Sequence, residues 1–138
     1  MPSRAGAFAV SAVLLSLVAG VAQACDCTRF RSPTEQMTRS DAVFRGRVLK
    51  VRRLADGRVV STIAVAEILK GKLPRLVDVA NGPSADGACG LSLRQGDVVS
   101  LAARRDADGG WSTGACTRLQ FPWEAFRQAA RADRAASW

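Results

Sequence analysis

Four cysteines placed after an apolar leader constrain this chain more than any other feature: Cys25, Cys27, Cys89 and Cys116. Residues 1–24 have the three parts of an export signal. Arg4 gives a positive start, Ala7 to Val21 carries no charge, and Ala22-Gln23-Ala24 is a small-x-small cleavage site. The apolar run falls short of the roughly 20 residues of a membrane span, and no stop-transfer charges follow it. The reading is a signal peptide over residues 1–24 and one mature domain over 25–138. It has no transmembrane span after processing and is exported to an extracellular or periplasmic space. Cleavage after Ala24 makes Cys25 the first mature residue, with a free α-amine. A competing route is lipidation of Cys25, which would anchor the domain to a membrane. Such signals carry Leu three residues before the cysteine, where this chain has Ala22, so ordinary cleavage fits better.

An even number of cysteines in a small exported domain points to disulfides. Zinc knuckles need Cys-x-x-Cys spacing. This chain has Cys25-Asp26-Cys27, two isolated cysteines and no histidine. Four cysteines allow three pairings. A Cys25–Cys27 bridge would close a strained ring, so the N-terminal pair is stapled to Cys89 and Cys116, in either order. The length suits one domain. The net charge is +8; the leader holds one base and no acid, so the remainder keeps +7. In an exported protein that balance argues against nucleic acid as a partner and for a solvated basic surface.

Ser32-Pro33-Thr34-Glu35 combines a capping box with a proline start and predicts a short helix to about Ser40. Five short strands follow: Ala42–Leu54 with Gly46 as a bulge or bend, Val59–Leu69, Leu76–Ala80, Val98–Ala103 and Trp111–Cys116. Val59, Ile63, Val65 and Leu69 are expected on one face of the second. Asp56-Gly57, Gln95-Gly96-Asp97 and Asp106 to Gly110 are turns. Asn81 to Leu91 is a Gly/Pro/Ser-rich loop carrying Cys89-Gly90. Pro122 opens a helix in which Trp123, Phe126 and Ala130 share a face. Antiparallel-looking strands between two helices predict a mainly β fold, a five-stranded OB-like Greek-key barrel with a short N-terminal helix and a C-terminal helix.

The chain has no histidine and no tyrosine, which excludes histidine-assisted nucleophiles and histidine metal sites. Apart from Asp26, the carboxylates are scattered in positions that suit caps, turns and strand faces. No phosphate-binding glycine loop is present. The expectation is a binding or inhibitory module, not an enzyme, with no cofactor and no metal of its own.

Several segments resemble, in order, the netrin-like domain family, and most closely the inhibitory domain of the tissue inhibitors of metalloproteinases: Cys25-Asp26-Cys27 at the mature start, Ser40-Asp41-Ala42-Val43-Phe44-Arg45-Gly46, Leu69-Lys70-Gly71, Cys89-Gly90, and Cys116 followed by Pro122-Trp123. The resemblance implies an OB-like barrel and the pairings Cys25–Cys89 and Cys27–Cys116. It also implies that the α-amine and carbonyl oxygen of Cys25 chelate the zinc of a target protease, whose catalytic metal keeps a coordination position open. Asp26 would enter the protease's specificity pocket, with Cys27 and the loop residues Asp86, Gly87 and Ala88 in contact alongside. The chain departs from the pattern at Asp26, where such inhibitors carry Thr or Ser. It also lacks their second domain and the extra cysteines of their first.

The expected function is therefore a secreted inhibitor of zinc metalloproteases acting through Cys25, monomeric, with a zinc metalloprotease as partner. The alternative is a non-inhibitory exported binding module of the same fold, holding a protein or envelope component through its basic surface, or lipid-anchored at Cys25.

Overall fold

The computed structural model describes residues 27–81 and 90–138. The leader, Cys25, Asp26 and residues 82–89 lie outside the described residues. The described chain runs α1 (Pro33–Thr38), β1 (Ala42–Arg53), β2 (Val59–Lys70), β3 (Leu76–Asn81), β4 (Val98–Arg105), β5 (Trp111–Thr113), a 3-10 turn (Ala115–Thr117) and α2 (Trp123–Ala136). The strands close into a barrel in the order β1-β2-β3-β5-β4, with β4 returning to β1. The fold is thus mainly β, a closed five-stranded barrel with one short helix and one C-terminal helix. No helix among the described residues is long and apolar enough to cross a membrane.

The strands were expected to be antiparallel throughout, and one pair is not: β3 and β5 run parallel, with Val79 opposite Trp111 and Asn81 opposite Thr113. The reason is topological. Strand direction cannot alternate all the way round a closed ring of five, so one neighbouring pair must share a direction. β5 is also shorter than expected. It stops at Thr113, and Cys116 sits on the 3-10 turn. There the Thr117 hydroxyl accepts from the Gly114 N–H at 2.8 Å, which turns the chain out of the sheet.

Two clusters fill the fold. Ala42, Phe44, Val48, Ile63, Val77, Val79, Leu101 and Ala103 form the barrel interior. Met37, Val43, Ala102, Trp123, Phe126 and Ala130 join the helices to the outer face of β1 and β4. The expected apolar face of α2 is the buried one. The helix begins at Trp123, one residue later than expected, with Pro122 as its N-cap.

The face proposed for β2 is split. Ile63 and Val65 belong to the interior, whereas Leu69 packs with the helices. The register moves from Arg45↔Glu67 to Gly46↔Val65, so Ala66 is an extra residue on β2. A bulge of this kind reverses which parity of the strand faces inward. Beyond it Glu67 looks outward, accepting from Trp123 Nε1 at 3.2 Å and Arg127 Nε at 3.0 Å. Arg127 also donates to Glu124, and the two carboxylates raise its pKa, Glu124 first.

Gly46 stands at this bulge. A Cβ there would collide with the Ala64 carbonyl oxygen and come within 2.7 Å of Ile63 Cγ2. Gly46→Ala is expected to cost about 1–3 kcal/mol of stability, the usual range for overpacking. Urea denaturation checks it; an unchanged midpoint would mean that the strands can separate here without loss.

Local chemistry explains the turns and ends. Ser32 Oγ accepts from the Glu35 N–H at 3.1 Å, while the Glu35 carboxylate reaches back to the Arg31 N–H at 2.7 Å, one residue further than a capping box requires. Lys70 Nζ donates to the Met37 carbonyl at 2.8 Å and so caps the C-terminal end of α1. Gly57 and Gly109 sit at φ +84° and +85° in the expected hairpin turns. The Arg58 backbone N–H and guanidinium bind Asp56 and hold its carboxyl below its ordinary range.

Candidate functional site

The first described residues are tied down at three levels. Cys27 is bridged to Cys116 with a Cα–Cα distance of 5.0 Å, the pairing that the family resemblance implied. Next, the Gln120 side-chain amide mimics a strand: its Nε2 donates to the Thr28 carbonyl at 2.8 Å and its Oε1 accepts from the Phe30 N–H at 2.9 Å. Finally, Gln36, only 1% exposed, repeats the device one layer down. Its Nε2 donates to the Arg118 carbonyl at 2.8 Å and its Oε1 accepts from the Gln120 N–H at 3.0 Å. Helix α1 thus holds segment 118–120, and that segment holds the N-terminal segment.

The two glutamines were not singled out in the sequence. A glutamine carries no sign of its partners, and both contacts span more than 80 residues, the Gln36–Gln120 separation being 84. The available signal was weak: Gln36 lies beside Met37 on a short helix that has to bury a face. Replacing Gln36 with leucine, similar in volume, would leave the Arg118 carbonyl and the Gln120 N–H without their partner. A loss of about 2–6 kcal/mol is expected, at 1–3 kcal/mol for each of the two orphaned groups, read from chemical denaturation. Amide exchange at Gln120 should rise in parallel.

Two open grooves flank this staple. One, of about 560 Å³, is lined by Cys27, Arg29, Phe30, Leu119 and Phe121. The other, of about 500 Å³, is lined by Gly90, Leu91, Leu93, Asp97 and Val99. Ala115 and Arg118 line both, so the turn carrying Cys116 stands between them. Gly90, which follows Cys89 in sequence, therefore lies on the far side of the same turn as Cys27. Asn81, 2% exposed at the end of β3, fixes the loop's other root: its Oδ1 accepts from the Leu91 N–H at 3.0 Å and its Nδ2 donates to the Leu91 carbonyl.

The chain matches no family model and no curated protein.

Of the residues expected at the site, Cys27 and Cys116 are brought together. Cys25, Asp26, Asp86, Gly87, Ala88 and Cys89, and with them the Cys25–Cys89 pairing, lie outside the described residues. Among the described residues, no group of three or more acidic or cysteine side chains could hold a metal ion. Several placed carboxylates hold backbone amides: Asp41 accepts from the Arg105 N–H at 2.8 Å, Asp97 from the Arg94 N–H at 2.9 Å and Asp108 from the Gly110 N–H at 2.8 Å. The motifs Ser40-Asp41 and Leu69-Lys70-Gly71 meet at one corner for structural reasons. A Cβ on Gly71, at φ +88°, would come within 2.7 Å of the Asp41 carbonyl oxygen.

Proposed function

We propose that this protein is an exported, netrin-like domain of OB-like Greek-key topology that inhibits zinc metalloproteases through its mature N-terminus. The observation that carries this reading is the fixation of Cys27–Phe30 by a disulfide and two stacked glutamine amides. Such a device suits an N-terminus that serves as a ligand. Ordering it in advance lowers the entropy lost on binding. Cys25 precedes the bridged Cys27 by two residues, a reach of at most about 7 Å. The barrel order β1-β2-β3-β5-β4 supports the OB-like assignment.

The proposed contact is bidentate. The α-amine and carbonyl oxygen of Cys25 occupy the open position of the target's zinc, which keeps three protein ligands of its own. The protein brings no metal, and its part is to hold two donor atoms still. Asp26 then points toward the specificity pocket. A carboxylate buried there without a partner costs several kcal/mol. Asp26→Thr is therefore expected to tighten inhibition by about thirtyfold to a hundredfold, or 2–3 kcal/mol. Inhibition constants on matched proteases check this; an unchanged or weaker constant would mean that Asp26 has a cationic partner in the target.

Asp26 also motivates the second reading, a non-inhibitory binding module of the same fold, anchored or soluble. Mass analysis of the mature N-terminal peptide, combined with a panel of zinc metalloproteases, separates the two. A free Cys25 amine with inhibition of at least one protease supports the first. An acylated amine, or a free amine with no inhibition across the panel, supports the second.

A further inference from the structure

β1 pairs with β4 only over Ala42–Arg47, yet it continues to Arg53. On that continuation only β2 is paired, so one edge of residues 50–53 carries no strand among the described residues. Segment 91–94 borders it across a groove of about 390 Å³. Val51, Val59, Leu91 and Leu93 supply the apolar lining and Arg53 and Arg94 the charge, and no acidic residue among the described residues lines it. Neighbouring arginines are matched: Arg52, on the opposite face of β1, meets Asp78 at 3.0 Å, and Arg58 meets Asp56 at 2.7 Å. Arg53 and Arg94 are exposed and form no ion pair among the described residues.

We propose that this edge and groove take an extended acidic segment of a partner protein, added as a strand alongside β1. An unpaired edge offers main-chain donors and acceptors to such a segment. The strand period places Val51 and Arg53 on the groove side and Lys50 and Arg52 on the other. The segment that fits therefore has an apolar side chain opposite Val51 and carboxylates opposite Lys50, Arg53 and Arg94. A second copy of this chain is a poor occupant, because it would set the same lysine and arginines against one another. This site is separate from the N-terminal staple, and the inference does not depend on Cys25.

The test uses the full mature chain and a synthetic peptide of about eight residues, an ordinary strand length, built of glutamates around a central valine. On titration, amide shifts should concentrate at residues 50–53 and 91–94, and affinity should fall with added salt. Arg53→Glu with Arg94→Glu, both at exposed positions, should weaken binding at least tenfold while leaving the spectrum of the fold intact. So should a peptide of equal charge with prolines in alternate places, which cannot donate along the edge. A protein with its Cys25 amine blocked should bind the peptide as well as the free one, so this result does not depend on inhibition. Equal binding of the proline peptide, shifts centred elsewhere, no binding, or self-association through this edge would each overturn the proposal.

Discussion

Replacing Cys27 and Cys116 together with serine is expected to lower the unfolding free energy by about 3–5 kcal/mol. The bridge closes a loop of 89 residues. In the chain-entropy account, a loop of that length restrains the unfolded state by somewhat under 5 kcal/mol at room temperature. Small domains have total stabilities of about 5–15 kcal/mol, so the loss is a large part of the whole. The double variant is the clean one, because either single change leaves a reactive thiol behind. Single and double variants should otherwise be alike, since one substitution already removes the crosslink. Thermal or urea unfolding under oxidising conditions measures it. Amide exchange should also accelerate at Phe30, because the two bonds from the Gln120 amide to Thr28 and Phe30 would then hold the segment without the bridge. A loss below about 1 kcal/mol would mean that the glutamine clamps, not the bridge, fix this end.

The barrel was legible because its strands are punctuated by turn residues whose chemistry is local. Gly57, Gly96 and Gly109 all adopt positive φ in the turns expected of them. Trp123, Phe126 and Ala130 kept a helical period and are buried together. What single-residue patterns could not carry was long-range. The bulge at Ala66 depends on how β2 meets β1, so the face of Leu69 could not be read from alternation alone. The parallel β3–β5 pair follows from closure, which no segment encodes by itself. The end of β5 at Thr113 depends on the Thr117 hydroxyl turning back on Gly114.

The candidate site was legible in its covalent part. Cysteine spacing marked the end that is stapled, and the bridge to Cys116 is present. The amide layers beneath it were not, because Gln36 and Gln120 are defined by partners far along the chain. Those layers give the proposed N-terminal reading its physical basis: they hold Thr28 and Phe30 against the body of the fold.

If the Cys25 amine is the ligand, the proton and the metal compete for one lone pair, and inhibition should weaken as pH falls. A block at that nitrogen should do more. The most direct measurement compares two forms of the protein on one sensitive zinc metalloprotease: one beginning at Cys25, confirmed by mass, and one extended by a single alanine before it. The extension keeps every described contact and displaces only the amine. Inhibition by the free form with a loss of about a thousandfold or more on extension, roughly 4 kcal/mol, at unchanged stability, is the predicted result. Equal potency of the two forms would contradict it.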